Sequence, residues 1–192
     1  MEAARQRNRR TSGPAFVAIA IMLGLPGTAT ALELGETRLH LGETTEDADT
    51  EGVGIASMIE PTGAAPAWLT WLGEDVHYEL GLSAWRDAAR DEDDVFTVHF
   101  GPTWQYDPQV IDPVFIEIGT APTLVSEDEL AESDIGGNFQ FTSHVTVGTR
   151  FGRGDRWEAG VRVQHISNAG IEDENPGLNF VMFEVGYRFA GL

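Results

Sequence analysis

Apolar and polar residues alternate one for one through much of the chain, the period that puts successive side chains on opposite faces of a β-strand. The clearest run is Asn138 to Phe151. Phe139, Phe141, Val145, Val147 and Phe151 share one face, and Asn138, Gln140, Thr142, His144, Thr146 and Arg150 share the other. Val95–Tyr106 repeats the pattern, with Phe96, Val98, Phe100 and Trp104 against Thr97, His99 and Thr103. Asp75–Trp85, Pro113–Pro122, Trp157–Ser167 and Leu178–Phe189 supply further strands. Before residue 75 the pattern blurs: Leu34–Glu43, Gly52–Glu60 and Ala67–Leu72 compete for two strand places. No 3.6-residue stripe of helical length and no internal repeat stands out. Soluble strands usually run about 5–6 residues, whereas a tilted membrane-crossing strand needs roughly 9–11. The 138–151 run satisfies the second requirement. The predicted fold is therefore all-β, an eight-stranded antiparallel transmembrane β-barrel.

The links between strands fit that reading. Gly152–Arg156 and Asp107–Asp112 are short, whereas Asp87–Asp94, Ser126–Gly137 and Asn168–Gly177 are longer and acidic. In outer-membrane barrels short links face the periplasm and long ones the exterior. Trp104, Tyr106, Phe151, Trp157, Tyr187 and Phe189 gather near the short-link end, as an interfacial aromatic girdle would. Residues 1–31 read as an export signal and 32–192 as the barrel. Arg5, Arg7, Arg9 and Arg10 form a basic head, Ala15 to Leu25 an apolar core, and Ala29-Thr30-Ala31 a small-residue cleavage site. That core is too short for a membrane helix, which needs about 20 residues. The expected location is the bacterial outer membrane.

Charge narrows the partners. The chain has 12 Lys+Arg, all of them Arg, against 31 Asp+Glu, for a formal net charge of −19. Removing residues 1–31 takes four Arg and one acid, leaving eight against thirty. Such a surface excludes nucleic acid, whose phosphates demand positive charge. With no Cys, disulfide and thiolate chemistry are absent.

The chemistry concentrates in His165-Ile166-Ser167-Asn168-Ala169-Gly170. Two residues apart on a strand, His165 and Ser167 share a face, and an imidazole beside a hydroxyl is the minimal apparatus for nucleophilic attack on an ester. Strand counting puts Val161, Val163, His165 and Ser167 on the apolar face, and Arg162 and Gln164 on the polar one. On the next strand Asn179, Val181, Phe183 and Val185 share the apolar face, with Glu184 opposite. If the apolar face meets lipid, three polar groups converge at one rim of the lipid-facing wall, where a polar side chain is costly unless it sits near the interface. The blander alternative is a set of interfacial residues at a strand end.

His165-Ile166-Ser167-Asn168-Ala169-Gly170, followed by Asn175-Pro176-Gly177, resembles the outer-membrane lipid A 3-O-deacylases of the PagL type (acyloxyacyl hydrolase family). Looser similarity runs from about Tyr78 to the C-terminus, including Pro113–Gly119 and Asn138–Phe141. The resemblance implies a serine esterase acting on lipid A (lipopolysaccharide) from the barrel's outer wall, with no metal or other cofactor. It assigns His165 as general base, Ser167 as nucleophile, the Gly170 N–H and the Asn175 side chain as oxyanion donors, and Asn168 as support. It also marks a departure: Asn179 stands where the family has a Glu that orients the His. Three outcomes follow from that change: a weakened esterase, one using a loop carboxylate from Glu172, Asp173 or Glu174, or a barrel that has lost the reaction. The alternative function is a non-catalytic small barrel, structural or adhesive. A homodimer is compatible with either reading.

The remaining titratable residues carry less. His40, His77, His99 and His144 show no metal-ligand spacing, and His77, His99 and His144 read as lumen residues. Acidic runs at 46–51, 91–94 and 127–134 read as solvated loops, lacking a Ca²⁺-loop spacing.

Overall fold

The computed structural model describes residues 32–45, 50–61, 65, 67–73, 75–87, 94–108, 112–130, 133–173 and 175–189. The predicted signal at 1–31 and the loop residue Glu174 lie outside them. Eight long strands form: β1 (Leu32–Thr44), β2 (Thr50–Pro61), β3 (Val76–Asp87), β4 (Val95–Tyr106), β5 (Val114–Val125), β6 (Phe139–Phe151), β7 (Trp157–Ser167) and β8 (Leu178–Arg188). Each pairs antiparallel with the next, and β8 pairs back to β1, so the sheet closes without an edge. Closure removes the open edges that hydrocarbon forbids in a spanning sheet, and the pairing of β4 with β5 breaks only between His99/Thr123 and Thr103/Gly119.

Alternation sorts the side chains as the sequence predicts. Leu39, Leu41, Val53, Ile55, Leu82, Phe96, Val147, Val161, Val163 and Phe183 stand exposed on the outer wall. The lumen holds the charges. Arg38 reaches Glu117 at 2.7 and 2.9 Å and Glu158 at 3.1 Å, and also bonds Glu36. Arg162 grips Glu79 at 2.7 and 2.6 Å and Glu184 at 2.6 Å. His99 meets Glu79 at 2.7 Å and His40 meets Glu184 at 2.9 Å. The lumen is thus a packed polar core, as expected for a barrel of eight strands. His144 joins Glu79 and Glu117 in a cluster of metal-ligand types, but Arg162 and Arg38 already engage both carboxylates.

Two features depart from the sequence reading. Ala67–Leu72 is a turn rather than a competitor for a strand. It folds against the outside of the wall at the end away from His165. There Leu69 buries against Val76, Tyr78 and Trp104, and the Leu69 carbonyl accepts the Trp104 indole N–H at 2.6 Å. Trp104 is therefore covered, not an exposed girdle member, while Tyr106, Phe151, Trp157 and Phe189 remain exposed at that end. The second departure lies at the other end of the lumen. Trp85, Val95, Val125, Ile166, Leu178, Phe180 and Met182 form an apolar plug with Leu130 and Ile135 of the link between β5 and β6. A two-residue ladder, Glu129–Leu130 with Ser133–Asp134, shapes that link.

The lumen lattice should dominate stability. Arg162→Met strips Glu79 and Glu184 of their shared cation, and breaking a buried pair by removing one partner typically costs about 3–5 kcal/mol. A urea unfolding titration in detergent should show a loss of that size. An unchanged midpoint would mean that the lattice carries little of the fold's stability.

Candidate active site

Strand β7 emerges from the barrel carrying the predicted pair on its outer face. His165 is exposed and Ser167 half-buried, while Arg162, Gln164 and Ile166 between and below them point into the lumen. Ile166 turns inward with Arg162 and Gln164 because it packs into the apolar plug. Register then brings β8 alongside: Asn179 is the direct partner of His165, and Leu178 of Ile166. The Asn179 Oδ1 lies 2.9 Å from His165 Nδ1. An amide oxygen can only accept, so Nδ1 carries the proton and Nε2 presents its lone pair. That tautomer is the one a general base needs. Glu184 faces inward to His40, as strand counting places it. Glu172 and Asp173 are exposed in the following loop, and the recorded partner of the imidazole is Asn179.

The loop after β7 is built around Asn168, which is fully buried although polar. Its backbone N–H donates to Asn175 Oδ1 at 3.0 Å, and its side-chain amide donates to the Ile135 carbonyl at 3.4 Å. Its Oδ1 accepts the Gly170 N–H at 2.8 Å. The chain then turns through Ala169 at φ 56° and Gly170 at φ 79°, left-handed conformations that a side-chain bond from Asn can hold. Asn168 thereby links the site to the plug beneath it. Two of the predicted groups are consequently engaged at rest. The Gly170 N–H is held by Asn168, and Asn175 uses its oxygen, which leaves its amide protons as donors. Sequence reasoning missed Gly177. It sits at φ 64°, and a Cβ there would lie 2.6 Å from His165 Cε1. Glycine at this point makes the room the imidazole occupies. Its place two residues before Asn179, at the mouth of β8, was the available signal.

A family model described as "Lipid A 3-O-deacylase (PagL)" matches residues 56–188, reaching back into β2, beyond the similarity read from sequence. The chain belongs to the lipid A 3-O-deacylase (PagL) family. Lipid A deacylase PagL of Bordetella bronchiseptica is 33% identical over 120 residues, covering 62% of this chain and 65% of that protein. Lipid A deacylase PagL of Pseudomonas aeruginosa is 27% identical over 114 residues, covering 58% of this chain and 64% of that protein. The chain thus spans just under two thirds of the length of the curated relatives it matches. The crystal structure of the outer membrane enzyme PagL has the same fold, with a TM-score of 0.61 at 20% identity, covering 80% of this chain and 99% of that one.

Gly177→Ala tests the packing of this PagL-family site. The left-handed φ alone costs about 1–2 kcal/mol for an L-residue, and the added methyl must also displace the imidazole. The variant should lose at least about 1 kcal/mol in unfolding, and the His165 Nδ1–H signal should shift in NMR. An unmoved signal would show that the ring does not depend on this glycine.

Proposed function

We propose that this chain is an outer-membrane lipid A 3-O-deacylase, a serine esterase that removes the acyl chain at the 3-position from the membrane side. The observation that carries the reading is the His165–Asn179 bond on the outer face of a largely apolar wall, beside Ser167. Polar groups there are costly unless they meet a substrate at the interface, and the ester of a membrane lipid lies at that level.

The steps follow from the side chains. Ser167 Oγ attacks the ester carbonyl while His165 Nε2 takes its proton. The carbonyl oxygen becomes an oxyanion, received by the Asn175 amide protons and by the Gly170 N–H as it turns from Asn168. The imidazolium then returns the proton to the sugar oxygen, which leaves as a hydroxyl. Water, activated by the same imidazole, frees the fatty acid from Ser167. Losing one oxyanion donor typically costs about 10²–10³ in rate. Asn179 holds the tautomer but brings no negative charge to the imidazolium. The chain should therefore be slower than an enzyme with a carboxylate there, though without the wrong-tautomer loss of about 10⁴ seen for Asp-to-Asn in a serine protease. Residues 1–31 would direct export. Past β8, the outer wall recesses around Leu41, Val53, Ala84, Val181 and Phe183, with Glu43, Glu51, Arg86 and Asp94 also lining the recess.

Two measurements check this reading. When the full chain is expressed in a host with fully acylated lipid A, mass spectrometry should show loss of one hydroxyacyl chain, and Ser167→Ala should abolish that loss. Unchanged lipid A with both proteins would favour a structural or adhesive barrel. Asn179→Glu should raise the deacylation rate about tenfold, because a hydrogen bond to a charged group is worth about 1 kcal/mol or more beyond a neutral one. No gain there, combined with a loss in Glu172→Gln, would move the orienting role to the loop.

A further inference from the structure

The polar groups on the outer wall do not stop at His165. Register continues the row across two more strands. His165 of β7 is the direct partner of Ser143 on β6, and Ser143 is the partner of Thr120 on β5. Thr120, Ser143, His165 and Asn179 therefore form one transverse line on four adjacent strands, and all four side chains are exposed. The wall on both sides of the Thr120–Ser143 half is apolar. Pro122 and Phe141 lie on the Ser167 side, and Ile118 and Val145 on the other. Phe141 is itself the partner of Ser167 and packs edge-on to Phe139 at 5.2 Å.

Hydroxyls in such a wall need partners. Thr120 Oγ1 and Ser143 Oγ share a single hydrogen bond of 3.3 Å. Two hydroxyls bring two protons, so one proton has no acceptor among the described residues. Facing hydrocarbon, an unsatisfied hydroxyl is costly. A second outward pair, Thr37 and Ser57 at 3.4 Å, lies on β1 and β2, flanked by Tyr187 and Leu80, and does not run on into the site. Continuity with His165 sets the Thr120–Ser143 pair apart.

Its position fits one part of an acyl ester. Along β7, Ser167 lies one outward-facing position nearer the rim than His165. Ser143 is thus a direct neighbour of the base and a diagonal neighbour of the nucleophile, at roughly 7–8 Å. With the carbonyl at Ser167 and the sugar oxygen leaving toward the rim loop, the acyl chain must run away from the rim, past Phe141 and Ser143. Its third carbon stands two bonds beyond the carbonyl. A hydroxyl on that carbon falls between Ser167 and Ser143, where the spare proton needs an acceptor.

We propose that the Thr120–Ser143 hydroxyl pair binds the hydroxyl on the third carbon of the departing acyl chain and makes the site selective for 3-hydroxyacyl esters. The proposal rests on the deacylase reading above, and the experiment separates the two. Full-length protein in detergent micelles is given two synthetic acylated glucosamine esters, identical except that one acyl chain lacks the C3 hydroxyl. The readout is the ratio of their kcat/KM values, which does not depend on how much of a preparation is folded. One to two hydrogen bonds at about 1 kcal/mol each correspond to a preference for the hydroxyacyl ester of about tenfold. Thr120→Val with Ser143→Ala should bring the ratio close to one, while Thr37→Val with Ser57→Ala should leave it as in the wild type. A wild-type ratio near one with both esters cleaved, or a ratio unmoved by the Thr120/Ser143 variant, would overturn the selectivity and leave the esterase standing. Failure to cleave either ester would overturn both.

Discussion

The structure depends on two arginines held inside a ring of carboxylates. Arg38 and Arg162 together bond Glu36, Glu79, Glu117, Glu158 and Glu184 from five different strands, so each guanidinium ties together walls that the ladder alone would not connect. Single partners in so dry a space would be costly, but forked guanidinium–carboxylate pairs with histidines filling further positions satisfy most of the lattice. With charge committed to the lumen, alternation forces hydrocarbon outward. Any polar group left on the outer wall then stands against a strong default.

That default gives the small polar row its meaning. The period of two that sends Arg162, Gln164 and Glu184 inward is the same one that sends His165, Ser167 and Asn179 outward. The His165 imidazole sits on paired strands rather than in a loop, and it is hydrogen-bonded to Asn179 directly across the ladder. The apolar plug matters as much: Ile135 reaches from the β5–β6 link to Asn168, so closing the lumen and shaping the loop beside Ser167 are one piece of packing. The Asn168–Gly170 bond holds one N–H in the loop that follows Ser167.

Much of this was legible in the chain. Every strand from β3 onward follows from alternation, and β4 and β7 begin and end where the pattern does. The His165–Ser167 face and the inward aim of Glu184 also follow from counting, because a hairpin's register is fixed once its two strands are. The apolar run Ala67–Leu72 misled, since apolar residues covering Trp104 from outside look like a strand in composition. The plug was hidden because Leu130 and Ile135 sit in an acidic stretch whose partners are distant in sequence. The lumen pairs were hidden for the same reason: Arg162 and Glu79 are 83 positions apart. Gly177 escaped notice because its constraint is a missing Cβ, which shows only against the imidazole beside it.

The most direct test of a lipid-facing nucleophile is covalent labelling of the folded barrel in lipid bilayers with a long-chain fluorophosphonate, followed by peptide mass spectrometry. The account predicts a single adduct on Ser167 Oγ that disappears in His165→Ala. An unlabelled Ser167, or labelling that persists without the imidazole, would contradict it.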